Sequence, residues 1–481
     1  MCFFRSFFVI ACIISCPSIN AGILVDTSGR PCKQEIDYIK SRQKLTQKAL
    51  DIYAGKSLSK YPRIGLCLSG GGYRALISTL GFVLGAQQSG LLDAANYMAT
   101  LSGSTWNIGT MLTKHAVWKA AGKNDSSFLK KFRDNMQKRL AQDFWNPKTL
   151  DWKNIIKKIE EKFLTYNHLE PADLWGGILI NRLMGDLPQS GQNYTFSSTR
   201  NFLKKTIIYP FPLFTAVIKD TFDETNEYEW FEVSPFASGS NYLDGFIPTR
   251  YLGSVFENGE STSIRPEETL GYLFGIFGSP YDINAGDLLL QLTQLIPESF
   301  TFKYTILTFV HHFIKKYKLD KTNVLPSPIN NPTYKMESSP HANELITLAD
   351  AGFDFTLPFP PLLKRNVDII ICCDAATDAI TKGFPELKMA QRYAQRYSFR
   401  FPSLKYAKKI CNYIFIFDKN EAGQTDPKIP TIIYCINPSQ ESTFKLQYSE
   451  KEFNTICDFI ETLVAKNKKV IAQAIIEKSD S

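Results

Sequence analysis

Residues 69–72 read Ser-Gly-Gly-Gly, and residues 102–104 read Ser-Gly-Ser. Three glycines in succession have no Cβ to shield their backbone N–H groups, which can then converge on one point. The apolar run Ile64–Leu68 leads into them, and apolar residues at helical spacing follow over residues 73–87. That pattern predicts a buried strand, a tight turn and a helix start. The helix N-terminus adds partial positive charge at the turn. Such a turn binds an anion. The anion is either a phosphate or the oxyanion of a tetrahedral acyl intermediate, where one donor is worth about a hundred- to thousand-fold in rate. A second run, Tyr97–Leu101, ends at Ser102 on another predicted strand-to-helix bend, an arrangement that holds a hydroxyl forward as a nucleophile. No Gly-Lys-Ser/Thr follows the glycines and their spacing is not G-x-G-x-x-G, which argues against a nucleotide site. A glycine turn followed by a serine elbow on neighbouring strands is how an acyl-transfer site is built.

A serine nucleophile needs a proton acceptor. The chain has five histidines: His115, His168, His311, His312 and His341. A Ser…acid…His order would draw on His311, His312 or His341, of which the first two fall in a helical run and the third in a Pro/Ser-rich loop. The alternative is a carboxylate that takes the proton directly, its basicity raised by burial. Asp350 follows an apolar run and precedes Ala-Gly at a predicted strand end, with Asp354, Asp368 and Asp374 as competitors.

These groups need a scaffold. At 481 residues the chain can bury a large core. Residues 367–373 (VDIIICC) and 431–437 (TIIYCIN) read as buried parallel-type strands, with a helix over 386–397 between them. Helices are also predicted over 36–53, over 450–477 and, basic and amphipathic, within 128–164. In the last stretch Phe128, Phe132, Met136 and Leu140 share one face and Ile155, Ile159 and Phe163 another. Residues 296–319 are aromatic, apolar and basic at one end, which suits a cap, an interfacial helix or equally a plain core helix. Residues 323–340 read as a loop, 205–215 and 228–236 as further strands. No repeat or linker divides the chain. The expectation is an α/β three-layer sandwich with a central, largely parallel sheet, helices on both faces and a cap or lid region. It occupies residues 22–481 as a single domain.

Residues 1–21 carry one positive charge at Arg5 and a short apolar run, then small and polar residues. This is a secretory leader pattern, too short to span a membrane. Ile13-Ile14-Ser15-Cys16 also resembles a lipobox, which would lipidate Cys16. The protein is therefore expected to be exported or anchored as a lipoprotein. A net charge of +8 is modest at this length; it argues against a nucleic-acid partner and suits an anionic membrane surface. Of ten cysteines, Cys67, Cys372 and Cys435 sit in apolar runs and read as buried thiols. Neither a C-x-x-C nor a His/Cys cluster points to a metal.

Taken together, Ser69-Gly70-Gly71-Gly72-Tyr73-Arg74-Ala75, Leu101-Ser102-Gly103-Ser104-Thr105-Trp106 and Asp350-Ala351-Gly352 resemble the catalytic domain shared by group IV cytosolic phospholipase A2 and the secreted fungal lysophospholipases. The likeness continues through Trp230–Phe236, 251–254, 274–279 and 355–363, and patatin-like lipases share the Ser–Asp logic more distantly. The resemblance implies Ser102 as acyl nucleophile, Asp350 as its base, and the N–H groups of Gly71 and Gly72 as the oxyanion hole. It implies Arg74 as the holder of a substrate phosphate, a task suited to a guanidinium fork. It implies a phospholipid or lysophospholipid ester as substrate, transient contact with a membrane surface, and no metal or cofactor. Thr100 departs from the family, which usually has glycine there, and this tightens the elbow; Ala351 stands where the family often has Ser or Gly. The short stretch before residue 30 is not expected to hold the calcium-binding membrane domain of the cytosolic enzymes. Two other readings fit the same residues: a lipid acyltransferase working through the same acyl-enzyme, and a non-enzymatic membrane-binding protein on a decayed hydrolase scaffold.

Overall fold

A computed structural model describes residues 22–29, 31–166, 169–219, 228–279, 285–300, 303–317, 327–376, 379 and 381–480. Its strands are β1 (Ile64–Leu68), β2 (Tyr97–Leu101), β3 (Phe211–Ile218), β4 (Glu229–Val233), β5 (Ala237–Ser240), β6 (Gly245–Pro248), β7 (Val255–Glu257), β8 (Glu260–Ser263), β9 (Ser327–Asn330), β10 (Leu345–Asp350), β11 (Ile369–Asp374), β12 (Lys408–Cys411), β13 (Ile414–Phe417) and β14 (Thr431–Ile436). All but the β7–β8 hairpin join one sheet, ordered β12-β13-β14-β11-β1-β2-β3-β4-β5-β6. The expected parallel sheet is its centre, where β14, β11, β1, β2 and β3 run the same way. Strands β1, β2, β11 and β14 are buried at every residue, as strands covered on both faces by helices must be. Antiparallel strands extend this centre on both sides, β4 to β6 beyond β3 and β13 to β12 beyond β14. The outcome is an α/β fold, a mixed sheet with helices around it.

One detail of register decides where the site forms. β2 runs parallel to β3 and ends with Leu101 opposite Thr215. β10 arrives on the same edge of β3 from the opposite direction, and its last residue, Asp350, pairs with Ala216. The two strands therefore meet end to end beside β3, and the residue after Leu101 faces Asp350. The partner of β10 on its other side is β9, which lies within the stretch expected to be a loop. Pro, Asn and Ser there do not prevent a short edge strand, because an edge tolerates a missing donor.

The helix Gly72–Ser89 leaves the glycine turn and packs against Glu450–Lys466 at very close range. A Cβ on Gly81 would lie 2.3 Å from the Cys457 carbonyl, and one on Gly85 2.5 Å from that of Glu461. The tail expected as one helix is two, Glu450–Lys466 and Lys468–Asp480. Residues 128–164 form the helices Phe128–Leu140 and Trp152–Tyr166, and their predicted apolar faces are buried, apart from a half-buried Phe163 whose ring packs 5.4 Å from that of Phe309. Of residues 205–215, expected as a strand, 205 and 206 end the helix Arg200–Thr206 and the strand begins only at Phe211. The helix Lys33–Ala54 is clamped from below. Arg365 makes a bidentate pair with Glu35 (2.7 and 2.9 Å) and reaches Glu232 of β4 at 2.8 Å. Among the described residues no helix is long and apolar enough to cross a membrane. The leader and Cys16 lie outside the described residues.

Candidate active site

Ser102 sits on the bend between β2 and the helix Gly103–Ala120, with φ 53° and ψ −120°. That is a left-handed backbone on a residue with a side chain, which costs about 1–3 kcal/mol and persists only where neighbours enforce it. The enforcement is visible. The Ser104 hydroxyl accepts the Leu101 N–H (2.8 Å) and donates to the Leu68 carbonyl (2.7 Å), sewing the end of β2 to the end of β1. Thr100 pairs its hydroxyl with that of Thr105 at 2.9 Å, and its carbonyl accepts from Thr215 at 2.8 Å. Threonine at this position thus adds a hydrogen bond across the bend that glycine cannot make. Gly103 must lack a side chain, because a Cβ there would lie 1.9 Å from the Gly72 carbonyl. The serine elbow and the glycine turn touch.

Asp350 ends β10, and its Oδ1 accepts the Gly352 N–H at 2.8 Å. It is 1 % exposed. Burial pushes its carboxyl up to about 7, and hydrogen bonds from the Gly352 N–H and the Ser102 side chain oppose that rise. The Ser102 side chain therefore faces a carboxylate poised near neutrality. The competing acids are occupied elsewhere: Asp354 by the Trp230 indole at 2.7 Å, Asp368 by the Arg63 N–H at 2.7 Å, and Asp374 by Tyr434 and the Ala376 N–H. The histidines are placed as structural or exposed groups. His311 and His312 are exposed, His341 is buried in the 339–343 turn, and His115 bonds Tyr209 and Asp125; His168 lies outside the described residues.

The glycine turn divides its donors. The Gly70 N–H goes to the Thr356 carbonyl at 2.9 Å, and the Thr356 N–H in turn goes to the Glu386 carboxylate. No described residue accepts from the N–H groups of Gly71 and Gly72, whose φ values of 129° and 57° turn the chain into the helix. Arg74 folds back over this turn. A Cβ on Gly71 would lie 3.2 Å from its Nη2. The guanidinium donates to the Glu441 carbonyl and, at 3.2 Å, to the Thr443 hydroxyl.

Gly72 and Ser102 open on a small apolar cavity of ≈ 30 Å³, walled by Trp106, Trp175, Leu288 and Phe444. The indoles are fixed by their N–H groups, Trp106 to the Phe274 carbonyl (3.0 Å) and Trp175 to that of Gly278 (3.3 Å). Larger hollows lie away from the nucleophile, including one of ≈ 430 Å³ beside Lys162, Asp173 and Tyr272. Lys162 there is spent on Asp173 at 2.7 Å and on the Tyr272 ring at 3.2 Å. One group of possible metal ligands exists among the described residues, Cys457, Asp458 and Glu461. Arg133 already supplies the cation, 2.6 Å from Asp458, and burial pushes the Cys457 thiol up to about 12. Sequence reasoning missed Trp175, Leu288, Thr443 and Phe444. They come from three distant segments and carry no local signal, whereas Trp106 stands inside the Leu-Ser-Gly-Ser-Thr-Trp motif.

Comparison with known proteins shows the family and the fold. A family model described as lysophospholipase catalytic domain matches residues 64–410. A lysophospholipase of Arthroderma benhamiae is 26 % identical over 92 % of this chain and 76 % of its own length. Cytosolic phospholipase A2 delta of Mus musculus is 29 % identical over 54 % of this chain, which spans 31 % of that protein. Among solved structures, human GIVD cytosolic phospholipase A2 superposes with a TM-score of 0.75 at 18 % identity, covering 97 % of this chain and 67 % of that one.

Proposed function

The chain belongs to the lysophospholipase catalytic-domain family, and on that premise we propose that it hydrolyses fatty-acyl esters of lysophospholipids or glycerophospholipids through an acyl-serine intermediate. Asp350 takes the Ser102 proton as the hydroxyl oxygen attacks the ester carbonyl. The N–H groups of Gly71 and Gly72 receive the oxyanion. The C–O bond breaks, the glycerol-side alcohol leaves with the proton from Asp350, and Ser102 holds the acyl group. Water then attacks and gives its proton to Asp350, which passes it to the Ser102 oxygen as the acyl–serine bond breaks and the fatty acid departs. Arg74 holds the substrate phosphate. The observation that carries the reading is the strand register that brings Ser102 and the buried Asp350 face to face where β2 and β10 abut, beside two uncommitted backbone donors.

Ser102→Ala and Asp350→Asn are each expected to abolish fatty-acid release from phospholipid vesicles, and a fluorophosphonate should label the wild type but not Ser102→Ala. Near-normal release by either variant would remove the dyad. Arg74→Ala is expected to slow phospholipid hydrolysis far more than hydrolysis of an uncharged ester; equal loss on both would remove its phosphate role. The reading includes transient membrane contact through the basic helices Phe128–Leu140 and Trp152–Tyr166. It also includes export, checked by the intact mass of the mature protein, which distinguishes a start after residue 21 from a lipidated Cys16.

A further inference from the structure

The nucleophile is 6 % exposed and its cavity has room for about one water molecule, against the several hundred Å³ that small-molecule sites commonly offer. Something must move before an ester can reach Ser102. The wall facing the glycine turn is residues 438–447, a stretch with no helix or strand. Thr443 and Phe444 line the cavity. The Thr443 carbonyl presses on the turn so closely that a Cβ on Gly72 would lie 2.2 Å from it.

This segment is held at its ends and latched in its middle. Asn437 ties one end to Asp374 and Ser78, and the Tyr448 N–H ties the other to the Leu140 carbonyl. In between, Arg74 holds the Glu441 carbonyl and the Thr443 hydroxyl. Lys445 bridges Glu441 (2.7 Å) and Glu452 (2.6 Å), pinning the segment to the first turn of the helix Glu450–Lys466. The guanidinium proposed to bind the substrate phosphate is the same one that holds this wall shut.

We infer that residues 438–447 form a gate that a phosphate-bearing substrate opens by taking Arg74 from the Glu441 carbonyl. The inference rests on the reading of Ser102 and Arg74 given above and adds the source of substrate selection. A carbonyl is a neutral acceptor, whereas a phosphate is charged and can take a guanidinium through two parallel N–H···O bonds, which adds ion pairing and geometric fit. A phospholipid therefore exchanges one partner of Arg74 for a better one and releases the wall. A neutral glyceride ester has no group for that exchange and must wait for the segment to open by itself. Selection against neutral lipids then lies in admission to the site as well as in binding.

Lys445→Met tests this, since Lys445 pins the wall but touches neither Ser102 nor Arg74. Loss of its two partly exposed ion pairs is expected to raise the open fraction about fivefold. In kcat/KM, hydrolysis of a monoacylglycerol should rise by about that factor, while hydrolysis of lysophosphatidylcholine changes less than about twofold. An unchanged ratio between the two substrates overturns the gate. Hydrogen–deuterium exchange on Ser102→Ala protein gives a second readout. Residues 438–447 should exchange faster with lysophosphatidylcholine added and not with monoacylglycerol; equal protection in both overturns the gate. A wild-type protein that no fluorophosphonate labels, or a Ser102→Ala variant that still hydrolyses, defeats the underlying reading instead, whatever the ratio.

Discussion

At the scale of the residue, Asp350 links activity to stability. Its folded carboxyl titrates near 7 because it is buried, and the unfolded one near the ordinary 3.8. Below the unfolded value both states hold the proton and pH has no effect. Between the two values the folded state keeps a proton that the unfolded state has lost, so stability falls as pH rises, and above 7 the loss is complete. Its limit is on the order of 4 kcal/mol. Asp350→Asn is therefore expected to be inactive yet more stable than the wild type at pH 8, and about equally stable at pH 4, measured by urea unfolding. Activity should move the opposite way and rise through pH 7, as the base ionises. The glycines and Ser102 were legible in the chain because backbone exposure is a local property of three or four neighbours. The partners of Arg74 were not, because Glu441 and Thr443 reach it only through the fold.

At the scale of the element, the helix that begins at the glycine turn is positioned by what its far side lacks. Gly81 and Gly85 let it approach the backbone of Glu450–Lys466 to van der Waals contact. Gly81→Ala forces the pair apart and is expected to destabilise the protein by about 1–3 kcal/mol. It should also lower kcat more than KM, because the helix carries the proposed oxyanion donors; a lower Tm with kcat untouched would separate the two roles. Helix and strand periods located most elements, including the central apolar strands. They did not show that β9 exists or that β10 enters against β2, since strand pairing joins residues far apart in sequence and leaves no mark on either run alone.

At the scale of the whole molecule, one buried ion network holds the N-terminal helix to the body. Arg365 serves Glu35 and Glu232 together, and Lys364 approaches Glu232 at 3.6 Å. Arg365→Ala leaves the buried Glu35 without its cation and Glu232 with only the more distant Lys364, and a loss of about 3–5 kcal/mol is expected in chemical denaturation. The rate of fluorophosphonate labelling of the protein that remains folded should stay the same, since the network lies outside the cavity. The parallel centre was readable from composition and run length. The antiparallel flanks were not, because their short strands take their direction from neighbours.

The meeting of β2 and β10 at one edge of β3 has a consequence for the newborn chain. A ribosome releases the proposed nucleophile early, the proposed acid much later, and the covering stretch 438–447 near the end. Until the acid arrives the serine has no partner, and once the last segment folds down the finished pair is shut away. A chain stopped before residue 350 is thus expected to carry the serine without its base.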